Sequence, residues 1–286
     1  MVMDKIMENE KKPIISVICP CYNQEKYLSE TIGSVINQSL VNWELIIVDD
    51  GSYDKTAQIA KDYAQKDSRI KYLFQENVGP SAARNYGVRE SQGKYLFFLD
   101  GDDKIAPDYL QLGVSYMEKD SVCVCFFTQV QMFGTKTGLA NVKYTTYKNQ
   151  LCQSSLWCCG LMRRTDFDRI GGFDETMKGF EDWEFFIRLL YKNDHVYIYP
   201  EPLFYYRIAN PKSVGTLANK RYIEITSYIY EKHKEKYLEY WGTPFNAYHS
   251  SFYYQTELDK VLSSNAYIIG KKILKPAKWI MSKLNK

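Results

Sequence analysis

The sequence predicts an α/β fold: a mostly parallel central sheet flanked by helices on both faces, followed by a helical C-terminal extension. Three observations carry this. Short runs rich in Ile, Val, Leu and Phe alternate with segments of helical period through residues 14–103. Three of those runs end in polar clusters, Pro20-Cys21-Tyr22-Asn23, Asp49-Asp50-Gly51-Ser52 and Asp100-Gly101-Asp102-Asp103. The chain of 286 residues is 45% hydrophobic and 25% charged, which excludes a disordered chain, a coiled coil or collagen.

The elements follow in order. Residues 14–19 read as a buried strand, and residues 25–37 as an amphipathic helix with Leu28, Ile32 and Ile36 four apart. Residues 43–48 are a second buried strand, 55–65 a helix and 70–74 a third strand. Ser81 suits the N-cap of a helix over 82–90, and residues 94–99 form a fourth strand. Strand and helix in this rhythm imply a parallel sheet, whose ligands bind beyond the carboxyl ends of the strands. The three polar clusters fall at those ends and are expected to converge on one crevice.

Beyond residue 120 the rhythm changes. Residues 121–133 read as a longer strand and 136–147 as its hairpin partner. Residues 181–191 form a helix with Trp183, Phe186, Ile187 and Leu190 on one face. Short strands are expected at 196–199 and 204–207, and helix from about 216 to the end, with loops near Gly242-Thr243-Pro244. The expected organisation is a polar tail over 1–12, one α/β domain over 13–215 and a helical extension over 216–286.

Residues 1–12 lack the apolar core of a signal peptide. No stretch approaches the roughly 20 apolar residues of a membrane span. The seven cysteines are odd in number and lie mostly in apolar runs; Cys19/Cys21 and Cys123/Cys125 are C-x-C pairs without zinc-knuckle spacing. The expected location is the cytoplasm, with reduced, buried thiols. A net charge of +3 is too small to argue for a nucleic-acid partner.

Four segments could carry chemistry. The carboxylates of Asp100, Asp102 and Asp103 repel one another unless a cation neutralises them, and Mg²⁺ or Mn²⁺ with phosphate oxygens would do so. A solvated acidic turn is the plain alternative. Asp49-Asp50 suits a turn and helix cap, or a carboxylate accepting from a nucleobase imide. Gly79 to Asn85 opens a helix whose N-terminus favours anions, with Arg84 placed for a phosphate or for the surface. Asp182 at a helix N-terminus is kept ionised, which suits a general base as well as simple dipole complementarity.

Taken together, the blocks Ser16-Val17-Ile18-Cys19-Pro20-Cys21-Tyr22-Asn23, Ile46-Ile47-Val48-Asp49-Asp50-Gly51-Ser52, residues 77–87, Phe98-Leu99-Asp100-Gly101-Asp102-Asp103, Gly171-Gly172-Phe173-Asp174-Glu175 and Glu181-Asp182-Trp183-Glu184 resemble the family-2 glycosyltransferases in sequence and order. The resemblance covers residues 14–207. It implies the GT-A fold and inverting transfer of a sugar from a nucleotide-diphosphate donor, most often a UDP-sugar, to a glycan or glycolipid hydroxyl in cell-surface polysaccharide synthesis. By position it implies that Pro20, Tyr22 and Asn23 line the nucleoside pocket and that Asp50, with Asp49, binds the base. It implies Arg84 near the base or diphosphate, Asp100 by the ribose and metal, Asp102 as the direct metal ligand and Asp182 as catalytic base. The metal would be Mn²⁺ or Mg²⁺. Trp183 and Trp157 could offer flat faces to sugar rings.

One departure stands out. Many relatives follow the late Tyr-Arg with a histidine, whereas Tyr206-Arg207-Ile208-Ala209 has alanine there, and His195 is poorly placed to replace it. Asn210 or water would have to complete the metal shell. Two rival readings are a sugar-phosphate nucleotidyltransferase, which would want a Gly-, Arg- and Lys-rich loop after the first strand, and a carbohydrate-binding protein with a decayed site. The last 26 residues carry six lysines and no acid, with Ile269, Ile273, Ile280 and Leu284 on one helical stripe. Such a segment, residues 266–286, suits an anionic membrane surface, giving a protein peripheral on the inner face of the plasma membrane, or packs on its own domain with a solvated lysine face.

Overall fold

The computed structural model describes residues 12–208 and 221–243. They fall into two units divided between Ile229 and Tyr230. The expected boundary near 215 and the basic segment 266–286 lie outside the described residues.

The first unit is built on a nine-stranded sheet. Strand β1 (Ile15–Cys21) lies in its interior, buried along its whole length because it is covered on both faces. It pairs in parallel with β2 (Trp43–Asp50), and β2 pairs in parallel with β3 (Ile70–Gln75). On its other side β1 pairs in parallel with β4 (Tyr95–Phe98). The chain thus leaves β1 in one direction and returns on the other side of it, so the crevice beyond β1 and β4 is a topological switch point. Helices α1 (Leu28–Ile36), α2 (Thr56–Lys66) and α3 (Pro80–Arg89) make the crossovers. α3 packs so closely that a Cβ at Gly87 would meet Ile18 Cγ2 at 2.5 Å and Val48 Cγ2 at 3.0 Å.

Ser81 is not the N-cap of α3. Gly79 occupies that position at φ 103°, a conformation glycine adopts freely, and Pro80 opens the helix with its ring already at helical φ.

Beyond β4 the sheet mixes directions. β8 (Leu161–Arg163) pairs antiparallel with β4 and with β6 (Cys125–Gly134). β6 runs parallel to β9 (Val196–Ile208), and the two-residue β5 (Lys104–Ile105) closes that edge antiparallel to β9. The two short strands expected near 196 and 204 are one 13-residue strand. Pro200 and Pro202 suggest an interruption, but the β6–β9 ladder absorbs it in a register shift around Gln129, where a missing N–H is tolerated. The hairpin partner of β6 is only β7 (Gly138–Ala140). The helices of this half are α4 (Tyr109–Lys119), α5 (Tyr147–Gln150), α6 (Arg164–Ile170) and α7 (Glu181–Leu189).

Helix α8 (Tyr222–Lys232) buries Ile225 and Ile229. In the second unit α9 (Lys234–Trp241) ends at Gly242 at φ 73°, and the rings of Tyr230 and Tyr237 lie 5.1 Å apart. Among the described residues no helix is long and apolar enough to cross a membrane.

Candidate active site

The loops after β1 and β2 are laced together. The Asn23 N–H donates to Ser52 Oγ (2.9 Å), the Tyr53 N–H to Asn23 Oδ1 (3.1 Å) and the Gln24 N–H to Thr56 Oγ1 (2.7 Å). Asn23 takes φ 54°, which Asn tolerates better than most residues. This lacing holds two exposed rings, Tyr22 and Tyr53, edge to face with centroids 6.1 Å apart. Pro20 is buried within β1.

Asp49 and Asp50 sit inside β2 rather than beyond it, and both are buried. Asp49 accepts from the Ser52 N–H (2.9 Å) and the Tyr72 hydroxyl (3.0 Å). Asp50 accepts from Gln75 Nε2 (2.7 Å) and from the Val78 (3.0 Å) and Gly79 (2.9 Å) N–H groups. Asp50 therefore anchors the turn into α3.

Arg84 projects from α3 with only 4% of its side chain exposed. Its Nη2 donates to Asp100 Oδ1 and its Nη1 to Glu181 Oε1, each at 2.9 Å. Its Nε is buried and finds no acceptor among the described residues. One guanidinium thus joins the end of β4 to the start of α7. The next two residues of the run are held from the other side: the Arg207 N–H donates to Asp103 Oδ1 (2.8 Å), and Arg207 Nε to the Asp102 backbone carbonyl (2.7 Å).

A cavity of about 380 Å³ opens against these groups. Its wall includes Arg84, Asp100, Asp103, Glu181 and Asp182, together with Trp157, Cys158, Phe180 and Tyr206. Of the residues the sequence singled out, the cavity gathers Arg84, Asp100, Asp182 and Trp157; Asp102 lies beside it, and Pro20, Tyr22, Asn23, Asp49 and Asp50 are at the neighbouring strand ends. Trp183 belongs to the core: it is buried, and its Nε1 donates to the Gln150 carbonyl. Trp157 meets Tyr206 with ring centroids 4.9 Å apart. His195 pairs instead with Asp120 (3.1 Å). Ala209 and Asn210 lie outside the described residues.

The site is electrostatically strained toward the negative. Burial, and then the charge of Glu181, push the Asp182 carboxyl up to about 7. Burial, and then Asp100, push Asp102 up to about 6. Asp103 is raised well above the carboxylate range by burial and its two acidic neighbours.

A family model described as glycosyl transferase family 2 matches residues 16–171, more than half of the chain. The chain belongs to that family. A second model, glycosyltransferase like family 2, matches residues 116–236. The family-2 glycosyltransferase chain is 34% identical over 205 residues to the putative teichuronic acid biosynthesis glycosyltransferase TuaG of Bacillus subtilis, covering 70% of this chain and 81% of that one. It is 49% identical to an uncharacterized glycosyltransferase of Haemophilus influenzae over 37% of this chain, and spans 42% of that relative's length. A structure of Staphylococcus aureus TarS 1–349 in complex with UDP-GlcNAc shares the fold, with a TM-score of 0.63 at 22% identity over 71% of this chain and 60% of that one.

The family's metal can be tested against this chain's own side chains. Asp100, Asp102, Asp103, Glu181 and Asp182 share this region with Arg84 and Arg207, and burial followed by the charge of neighbouring carboxylates raises Asp102, Asp103 and Asp182. Among the described residues no three acidic, histidine or cysteine side chains surround one point. A hard Mg²⁺ or Mn²⁺ ion here would have at most one or two of these carboxylates as ligands, its remaining positions going to water and phosphate oxygens.

The sequence reading missed Glu181 as a partner of Arg84, and the part played by Arg207. Nothing local signals either: the Arg84–Glu181 pair is 97 residues apart, and Arg207 reaches back about as far.

Proposed function

We propose that this family-2 glycosyltransferase moves a sugar, with inversion, from a nucleotide-diphosphate donor of UDP type to a hydroxyl of a glycan or lipid-linked glycan acceptor. The cavity carries the reading: it sets a buried cation, Asp100 and Asp182 around one space large enough for a sugar. Asp182 accepts the proton of the attacking hydroxyl, a contribution typically of about 10²–10⁴ in rate. Asp102 and Asp100 would hold Mn²⁺ or Mg²⁺, which when bound offsets the charge developing on the departing diphosphate. Arg84, held at the cavity wall by Asp100 and Glu181, places its charge beside the same oxygens. Trp157 offers a ring to the sugar, and Tyr22 with Asn23 and Asp50 borders the nucleoside.

The inverting mechanism has a geometric logic. A base on the face opposite the leaving group serves direct displacement at the anomeric carbon, and Asp182 on α7 lines the space from a different element than Asp100, which follows β4. Two facts support an acceptor in cell-surface polysaccharide: the likeness to TuaG, and the basic C-terminal composition. A thermal-shift panel of nucleotide sugars with and without Mn²⁺ tests donor and metal together. Stabilisation by UDP-sugars that requires Mn²⁺ is expected; indifference to every nucleotide sugar would remove the reading.

A further inference from the structure

We infer that Arg207 is the positioning residue of the carboxylate run, setting where Asp102 presents its carboxylate. This rests on the proposed reading of Asp102 as a metal ligand. The residues around Arg207 show why it can do this. Its backbone N–H holds Asp103 Oδ1 at 2.8 Å and its Nε holds the Asp102 carbonyl at 2.7 Å, so two consecutive residues of the run hang on one residue of β9.

Arg207 is itself fixed. Its guanidinium lies 4.4 Å from the Tyr27 ring and 4.3 Å from the Phe133 ring, and its Nη2 donates to Glu30 Oε2 at 3.1 Å. Only 9% of the side chain is exposed. A guanidinium clamped between two rings and a carboxylate has little freedom left to lose, which is what a rigid support requires. The support also spans the fold. Glu30 and Tyr27 belong to the region of α1, Phe133 to β6 and Arg207 to β9. Lys104, next after the carboxylate run, reaches the same Glu30 at 2.9 Å and pairs through its backbone with β9. Arg84 grips the run at Asp100, and Arg207 grips it at Asp102 and Asp103. The two grips thus fix the backbone on either side of the half-buried Asp102 side chain.

Arg207→Lys separates support from charge. Lysine keeps a cation between the rings and the backbone N–H to Asp103, and loses the fork that reaches both the Asp102 carbonyl and Glu30. Mn²⁺ is titrated into the full chain at saturating UDP and free Mn²⁺ read by electron paramagnetic resonance. R207K is expected to bind Mn²⁺ at least about tenfold more weakly, the scale of one lost charge-assisted hydrogen bond. Its apparent affinity for Mn²⁺ in turnover should fall more than its kcat at saturating Mn²⁺. Glu30→Gln, at a half-exposed position, should shift the same affinity a few-fold in the same direction with little change in melting temperature. Asp102→Asn is the control. If D102N loses Mn²⁺ while R207K and E30Q bind as the wild type does, the positioning role is wrong and the metal reading stands. If D102N binds Mn²⁺ as the wild type does, the metal reading itself falls.

Discussion

Burial and the charge of Glu181 hold the Asp182 carboxyl at about 7, against 3.8 for an ordinary aspartate. As the proposed base Asp182 would act in its ionised form, so transfer should rise through pH 7 and level off above it, with an acid limb near that value in kcat/KM. Stability runs the other way. A carboxyl whose folded pKa is raised favours the fold most where it is neutral in both states, below about 4. That contribution is lost as pH rises through about 7. Asp182→Asn stays neutral throughout. It should lower kcat by about 10²–10⁴ while keeping nucleotide binding. It should also be more stable than the wild type at pH 8, by an amount on the order of 4 kcal/mol, with little difference at pH 4. A variant that keeps full transfer would remove the base from Asp182. An acid limb unmoved from the wild-type position in a variant that still turns over would do the same.

Two buried side chains tie elements together, and each makes a prediction about them. Arg84→Ala leaves Asp100 and Glu181 without their shared cation, breaking a bridge between α3, the end of β4 and α7. A loss of about 3–5 kcal/mol is expected in denaturant unfolding. Arg84→Lys should recover little of it, because one ammonium cannot reproduce the two-armed contact. Asp50→Ala strips acceptors from Gln75 and from the Val78 and Gly79 N–H groups. It should cost about 1–3 kcal/mol and weaken UDP binding through a loosened α3 entry, seen as paired losses in melting temperature and calorimetric affinity. Unchanged stability would mean the turn does not depend on Asp50. These ties also mark what was legible. β1, β2 and β4 were readable because a strand covered on both faces is a continuous apolar run, and the clusters closing them stand where chemistry belongs. β5 and β8, two and three residues long, have no local signature, since their pairing partners lie far along the chain. α4 does carry a helical pattern in Leu110, Val114 and Met117, all buried. The partners of Arg84 and the grip of Arg207 depend on tertiary approach that no spacing within a segment encodes.

At the scale of the whole molecule the net charge of +3 hides a division. Residues 261–286 hold six lysines and no acid, while residues 1–260 hold 31 basic and 34 acidic residues. The part that bears the carboxylate-lined cavity is thus slightly acidic, and the positive excess belongs to one end. That separation would suit an enzyme whose acceptor is anchored in an anionic leaflet: the lysines would draw the protein to the surface, each worth about 1 kcal/mol close to it, without adding cations to the nucleotide site. The full chain should bind vesicles containing phosphatidylglycerol, and should do so less as salt shortens the Debye length from about 10 Å at 0.1 M to about 3 Å at 1 M. A chain ending at Ser264 should lose that binding yet keep its UDP affinity, because the residues proposed for the donor all precede it. Co-sedimentation with anionic and with neutral vesicles measures both halves of the expectation. Equal binding by the two chains would remove the membrane role from the basic end, and binding that ignores salt would show that the apolar stripe, rather than the lysines, drives it.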